Sequence, residues 1–188
     1  MDVYRLAHDL KADLARGCER IEIAGSIRRQ RPDPHDIEIV CIPKVLDAPI
    51  YDLFQVEVAS AGENILFTIL PPMDWGYDYV NKKNGPKYKR LRHVETGVCC
   101  DLFIVRPETW GVQLAIRTGP AAFSKELVSR PKLKQMQVKD AQLWRVHRDH
   151  SLTPIPTPEE DDFFKAIGLP FIKPQDRDEF AVSHGLRI

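Results

Sequence analysis

Apolar residues near the start of the chain fall at Val3, Leu6, Ala7, Leu10 and Leu14, which is the spacing of one helix face, and Gly17 follows as a stop. This predicts an amphipathic helix over residues 2–16. The pattern then changes to alternation: "RIEIAG" (Arg20–Gly25) and "DIEIVCI" (Asp36–Ile42) read as strands, and the segment from Ala48 to about Ala59 reads as a helix. Further on, "KYKRLRHV" (Lys87–Val94), a turn at Glu95–Gly97 and "VCCDLFIV" (Val98–Val105) predict a β-hairpin whose first arm is cationic. From Pro120 the pattern gives a helix to about Arg130, which Pro131 ends or kinks, and then a hairpin around Val138–Val146. A last helix is expected with Thr157 as N-cap, Pro158 in the first turn, Glu159 and Glu160 at its positive end, and Gly168 closing it. The expected fold class is α+β, a mixed β-sheet with flanking helices followed by a small α/β C-terminal lobe.

Composition narrows the class. With 188 residues and 43% hydrophobic content, the chain can build the core of one domain or of two small lobes. There is no run of about 18 apolar residues to span a bilayer, and "MDVYRLAHDL" lacks the charged and then apolar pattern of a signal peptide. An intracellular protein that is not secreted and does not sit in a membrane is therefore expected. Cys18, Cys41, Cys99 and Cys100 show no CxxC spacing, so reduced thiols are expected rather than a disulfide framework or a zinc site.

The formal net charge of zero hides an uneven distribution. Residues 81–150 carry 15 Lys and Arg against 6 Asp and Glu, while residues 1–80 carry 8 against 14. A basic stretch of this kind can hold a polyanion, although many such stretches are only solvated faces. Lys82, Lys83, Lys87, Lys89, Arg90 and Arg92 are the candidates for contact with DNA phosphates. His147 and His150 form an HxxH without nearby carboxylates and read as surface residues.

The carboxylates carry the sharper signal. On a strand, residues i and i+2 share a face roughly 7 Å apart, so Asp36 and Glu38 project together while Ile37, Ile39 and Cys41 turn to the core. Asp101 interrupts the apolar run "VCCDLFIV", where a carboxylate is costly unless it is paired or holds a cation. Three carboxylates from two strands that could be neighbours suit Mg²⁺ or Mn²⁺, and two such ions about 3.5–4 Å apart can clamp an in-line phosphoryl displacement. Alternation alone would also fit the wet face of a half-exposed strand. Just upstream, Gly25 and Ser26 offer backbone N–H groups and a hydroxyl to an anion, and Arg28 or Arg29 offers a guanidinium fork.

Gly25-Ser26, Arg28-Arg29, Asp36-x-Glu38 and Asp101, followed by "TGPAAFSK" (Thr118–Lys125) and "FIKPQDRDEF" (Phe171–Phe180), resemble the DNA polymerase beta family, also called family X. The resemblance runs from about Ile21 to Phe180 and implies a nucleotidyltransferase palm over residues 1–118 and a C-terminal lobe binding the nascent base pair over 119–188. Only the helix at 2–16 precedes the palm, where larger members carry a lyase domain and a helix-hairpin-helix lobe, so a minimal, cytoplasmic or viral or phage-encoded member is the closest analogy.

The resemblance implies an enzyme that adds a nucleotide from a dNTP to a primer 3′-hydroxyl on primer-template or gapped DNA, as a monomer, in gap filling or repair. Asp36, Glu38 and Asp101 would be catalytic and would hold two Mg²⁺ ions, with Mn²⁺ as a substitute. Gly25, Ser26 and Arg29 would grip the triphosphate. Ile116, Arg117, Thr118 and Gly119 would surround the sugar and incoming base, and Lys125 would stack against the templating base. The chain departs from the family pattern in four places. Glu38 stands for the usual Asp, Ile116-Arg117 for the aromatic pair that controls the 2′ position, Cys99 for an arginine beside the primer end, and Val128 for the residue that probes the minor groove. The alternatives are a template-independent, RNA or small-molecule nucleotidyltransferase, and a non-catalytic nucleic-acid-binding module.

Overall fold

The computed structural model describes residues 2–47, 49–51, 57–59, 74–77, 84–131 and 135–185. The chain forms two compact units, one of Met1–Ile23 with His35–Ile104 and one of Ala24–Pro34 with Val105–Ile188.

The first unit opens with α1 (Val3–Ala15), N-capped by Asp2, whose carboxylate accepts from the Tyr4 N–H at 2.9 Å. Ala7, Leu10 and Leu14 form its buried face. β1 (Cys18–Ile23) and β2 (Ile37–Pro43) follow, and then β3 (Ile50–Tyr51) and β4 (Glu57–Ala59). Where a helix is expected from Ala48 to about Ala59, Ile50–Tyr51 and Glu57–Ala59 are strands, and residues 48 and 52–56 lie outside the described residues. β3 and β4 pair with each other as antiparallel strands, because short apolar runs satisfy either period and pairing decides between them. β5 (Trp75–Tyr77), β6 (Asn84–Gly85), β7 (Tyr88–His93) and β8 (Cys99–Ile104) complete the unit.

A six-stranded mixed sheet has the order β1-β2-β8-β7-β5, with β6 on β7. β2 and β8 run parallel, and β8 pairs antiparallel with β7. Ile37, Ile39, Cys41, Cys100, Leu102 and Leu91 are fully buried and form the core side of these three central strands. All four cysteines are free, and Cys18, Cys41 and Cys100 are buried.

The second unit holds the helical turn α2 (Gly25–Arg28), α3 (Trp110–Thr118), α4 (Ala121–Ser129), a three-stranded sheet of β9 (Met136–Lys139), β10 (Gln142–Val146) and β11 (Leu152–Ile155), α5 (Glu160–Ile167) and α6 (Arg177–Ser183). Val112, Ala115, Phe123, Leu127, Leu143, Phe163, Phe164 and Ile167 form its core. The expected boundary at 118/119 falls inside this unit, at the end of α3, which packs on both α4 and α5. Gly111 permits the close approach of α3 to the chain entering α5: a Cβ there would lie 2.2 Å from the Glu159 carbonyl oxygen, and the Gly111 N–H donates to Thr157 O at 3.0 Å.

The α5 start expected at Thr157 is corrected. Thr157 is fully buried, and the cap is Glu159, whose N–H donates to Asp162 at 3.1 Å in a capping box. Gly168 ends α5 in the left-handed conformation at φ 78°.

Candidate active site

In the first unit, the parallel pairing of β2 with β8 sets Glu38 beside Asp101, and the antiparallel pairing of β8 with β7 sets Asp101 beside Arg90. Residues in register share a face, so Glu38, Asp101 and Arg90 form one row across three strands. Asp36 precedes β2 by one residue, and Asp36, Glu38 and Asp101 are all half-buried. Their closeness also registers on Cys100, whose thiol is pushed well up by complete burial and then by the charges of Asp101, Glu38 and Asp36.

Asp101 Oδ1 accepts from the Tyr88 hydroxyl at 2.5 Å and from Arg90 Nη1 at 3.0 Å. Burial and the bond to Asp101 raise the Tyr88 phenol to about 12, so it stays a proton donor at neutral pH. Burial pulls Arg90 down, but its contacts with Tyr88, Cys99 and Asp101 outweigh that and raise it overall. Among the described residues, no three His, Cys, Asp or Glu side chains converge as a ready metal-binding group. The donor chemistry is that of a hard-cation site, since Asp36, Glu38 and Asp101 all carry carboxylate oxygens, Glu38 and Asp101 lie in register on one face, and Asp36 is two residues from Glu38.

The cationic arm divides between the two faces. Lys89 lies opposite Leu102 with only 2% of its surface exposed, and burial lowers its pKa, so the DNA contact expected of it is corrected to an interior position. Arg90 is engaged with Asp101. Lys87 and Arg92 are exposed, and Arg92 Nη1 donates to Gly97 O at 3.2 Å. Lys82 and Lys83 lie outside the described residues.

In the second unit, Gly25 takes φ 62° to open α2, a conformation that favours glycine, and Ser26 is half-buried beside it. The arginines that follow are committed within this unit. Arg28 donates to both Glu160 oxygens at 2.9 and 2.6 Å and to Thr118 Oγ1 at 2.7 Å. Arg29 donates to Asp178 at 3.0 Å and to the Thr118 carbonyl at 2.8 Å, so the triphosphate grip expected of Arg29 meets a side chain already bonded to α3 and α6. Thr118 is fully buried, and Gly119 donates to Ala115 O at 3.3 Å. Ile116, Lys125 and Val128 line a cavity of about 360 Å³ together with Ser124 and Ser129. Arg117 lies half-buried, with Nε 3.4 Å from Gln113 Oε1.

Residues 113–178 match the DNA polymerase beta thumb family. That match, over less than half of the chain, supports a family X polymerase-like protein. No curated protein matches it. Thr118, Glu160 and Asp178, the partners of Arg28 and Arg29, all fall inside the thumb match, whereas the two arginines and the three carboxylates lie outside it.

Two groups central to these arrangements were not singled out from the sequence. Tyr88 shares alternation with Arg90, which was a usable signal. Arg177 carried none: it is completely buried, donates to Glu160 at 3.0 Å and Ile172 O at 3.0 Å, and has the rings of Phe123, Phe164 and Phe171 within 6.0 Å.

Proposed function

We propose that this family X polymerase-like chain is a template-directed DNA polymerase that transfers a nucleotide from a dNTP to a primer 3′-hydroxyl, suited to filling gaps in duplex DNA during repair. The observation that carries the reading is the in-register pairing of Glu38 with Asp101 on parallel strands, with Asp36 two residues from Glu38. The thumb match supports DNA as the partner. Asp36, Glu38 and Asp101 would hold Mg²⁺ or Mn²⁺, which when bound neutralises charge on the attacking and leaving oxygens.

The chain's own residues position the reactants. Ser26 and the N–H groups of the turn at Gly25 receive phosphate oxygens, and Lys125 and Ile116 border the cavity that receives a base and sugar. Exposed Lys87 and Arg92 meet DNA phosphates and set the salt dependence of binding. No protein nucleophile takes part.

Extension of a primer on gapped, nicked and single-stranded DNA, with each dNTP and NTP in Mg²⁺ and in Mn²⁺, tests this. Template-matched addition of dNTPs is expected, with gapped DNA preferred. Addition without regard to the template would favour a template-independent transferase, and DNA binding without addition would leave a binding module.

A further inference from the structure

The proposed chemistry uses the three carboxylates as ion ligands and gives Tyr88 and Arg90 no part. Both are aimed at one atom. Asp101 Oδ1 receives the Tyr88 hydroxyl at 2.5 Å and Arg90 Nη1 at 3.0 Å, while Oδ2 lies 3.4 Å from the same Arg90 nitrogen. The two donors stand at i and i+2 of β7, so they share a face, and Arg90 is directly opposite Asp101 in the antiparallel register. Backbone pairing therefore fixes the guanidinium against the carboxylate. The pair is neither fully buried nor fully wet, with 25% of the Arg90 side chain and 19% of the Asp101 side chain exposed. A full positive charge there acts through a medium less screening than water.

We propose that Arg90, steadied by Tyr88, is a positioning residue for Asp101: it holds the carboxylate chiefly through Oδ1, engages Oδ2 only by the longer 3.4 Å bond so that this oxygen is the one turned to an ion, and weakens the site's hold on a free cation. This rests on the reading of Asp36, Glu38 and Asp101 as ion ligands, and it replaces DNA contact as the role of Arg90. Two effects of opposite sign follow. Loss of the guanidinium removes a repelling charge beside an ion ligand, which tightens cation binding; it also frees Asp101 to rotate, which slows transfer. A phosphate-contacting arginine would produce neither effect, and a merely structural one would not tighten cation binding.

The test compares wild type with Arg90→Ala, Arg90→Lys and Tyr88→Phe. The readouts are Mn²⁺ affinity of the protein without DNA or nucleotide, by electron paramagnetic resonance, then kcat and KM on a gapped primer-template, and DNA affinity against salt. Arg90→Ala should bind Mn²⁺ about fivefold more tightly, since one unit charge is removed from beside a ligand at intermediate dielectric. Its kcat should fall about tenfold or more, with DNA affinity and salt slope within about twofold of wild type. Arg90→Lys should keep wild-type Mn²⁺ affinity while losing turnover, because an ammonium retains the charge but not the planar fork. Tyr88→Phe should lower kcat several-fold and leave Mn²⁺ affinity within about twofold, since it takes away a neutral donor and no charge.

Unchanged or weaker Mn²⁺ binding by Arg90→Ala overturns the proposal, as does a salt slope reduced by about one, the signature of an arginine that neutralises a phosphate. If Arg90→Ala does not fold, Arg90→Lys and Tyr88→Phe decide: wild-type kcat in both overturns it. A wild type that binds Mn²⁺ and polymerises while Arg90→Ala behaves like it sinks this inference alone, whereas a wild type that binds no Mn²⁺ sinks the ion-site reading as well.

Discussion

The row Glu38–Asp101–Arg90 in the first unit and the cluster Arg28–Glu160–Arg177 in the second are built from the same side-chain types in opposite proportion. In the row, two acids meet one base, with Asp36 two residues from Glu38, and the Asp101–Arg90 pair keeps about a fifth to a quarter of its side-chain surface in solvent. In the cluster, two guanidiniums converge on one carboxylate: Arg28 keeps 20% of its side-chain surface in solvent, but Glu160 is 6% and Arg177 0% exposed, and Arg177 also bonds the Ile172 and Ala115 carbonyls. A charge network whose acid is buried and shared between two guanidiniums has its bonding capacity taken up internally, and it fixes one arrangement of chain segments distant in sequence. A half-exposed row with acids in excess can still accept a cation. Burial and stoichiometry, not residue type, separate the candidate site from the scaffold.

The sharpest break of this comparison is removal of a carboxylate. Asp36→Ala and Asp101→Ala should each lower nucleotide transfer by roughly 10³-fold or more, because an ion ligand acts chiefly on charge that develops in the transition state. DNA affinity should stay within about twofold, since phosphate binding does not use these groups. Single-turnover extension on gapped DNA together with a fluorescence binding titration measures both. Near wild-type turnover in either variant would place the row among scaffolding charges too.

Removing the acid of the buried cluster should act on stability instead. Glu160→Ala leaves Arg177 as a fully buried cation without its carboxylate, which costs about 3–5 kcal/mol. Glu160→Gln, which keeps an acceptor, should cost less. The shift in urea midpoint at constant m-value gives the number, and Mn²⁺ affinity of the folded variant should match wild type. A variant that keeps its midpoint but loses Mn²⁺ binding would erase the distinction between the two regions.

A smaller effect is expected from the two exposed cations of β7 and its preceding turn. Neutralising Lys87 and Arg92 together should weaken DNA binding for all sequences alike and reduce the salt slope by about two, one for each phosphate left without its cation. Lys89→Met should leave the slope unchanged, because that ammonium is turned to the core side opposite Leu102. An equal effect of Lys89→Met on the slope would contradict the face assignment.

How much of this was legible differs between the two regions for a physical reason. The candidate site is made by short-period alternation, so Asp36 and Glu38 could be read as sharing a face from their spacing, and Asp101 stood out as an acid in an apolar run. The same alternation, carried along "KYKRLRH", puts Lys89 on the face of Leu91, so its burial was available in the sequence. The register that sets Arg90 opposite Asp101 depends on strand pairing, which periodicity does not supply. The cluster was less legible still, since Arg28 meets Glu160 across 132 residues and Arg29 meets Asp178 across 149. α3, where no helix is expected from the sequence, does carry a helical period: Gln113, Ile116 and Arg117 share one face at i, i+3 and i+4, and Trp110, Leu114, Ala115 and Thr118 are buried on the other.

The smallest effect is expected where the second unit also lines a cavity. Ile116 and Arg117 are adjacent on α3, yet they serve different neighbours: Ile116 borders the cavity with Lys125 and Val128, whereas the Arg117 guanidinium reaches back along the helix to Gln113. On the proposed polymerase reading, control of the sugar would fall on Ile116 and not on Arg117. An isoleucine offers less bulk than an aromatic ring, so wild-type discrimination against ribonucleotides should be modest, and Ile116→Tyr should raise it by about tenfold through steric exclusion of the 2′-hydroxyl. Arg117→Phe alone should change it by less than about threefold. The ratio of kcat/KM for dGTP over GTP opposite one template base measures both, and a larger effect from Arg117→Phe would show that the guanidinium leaves Gln113 to reach the nucleotide.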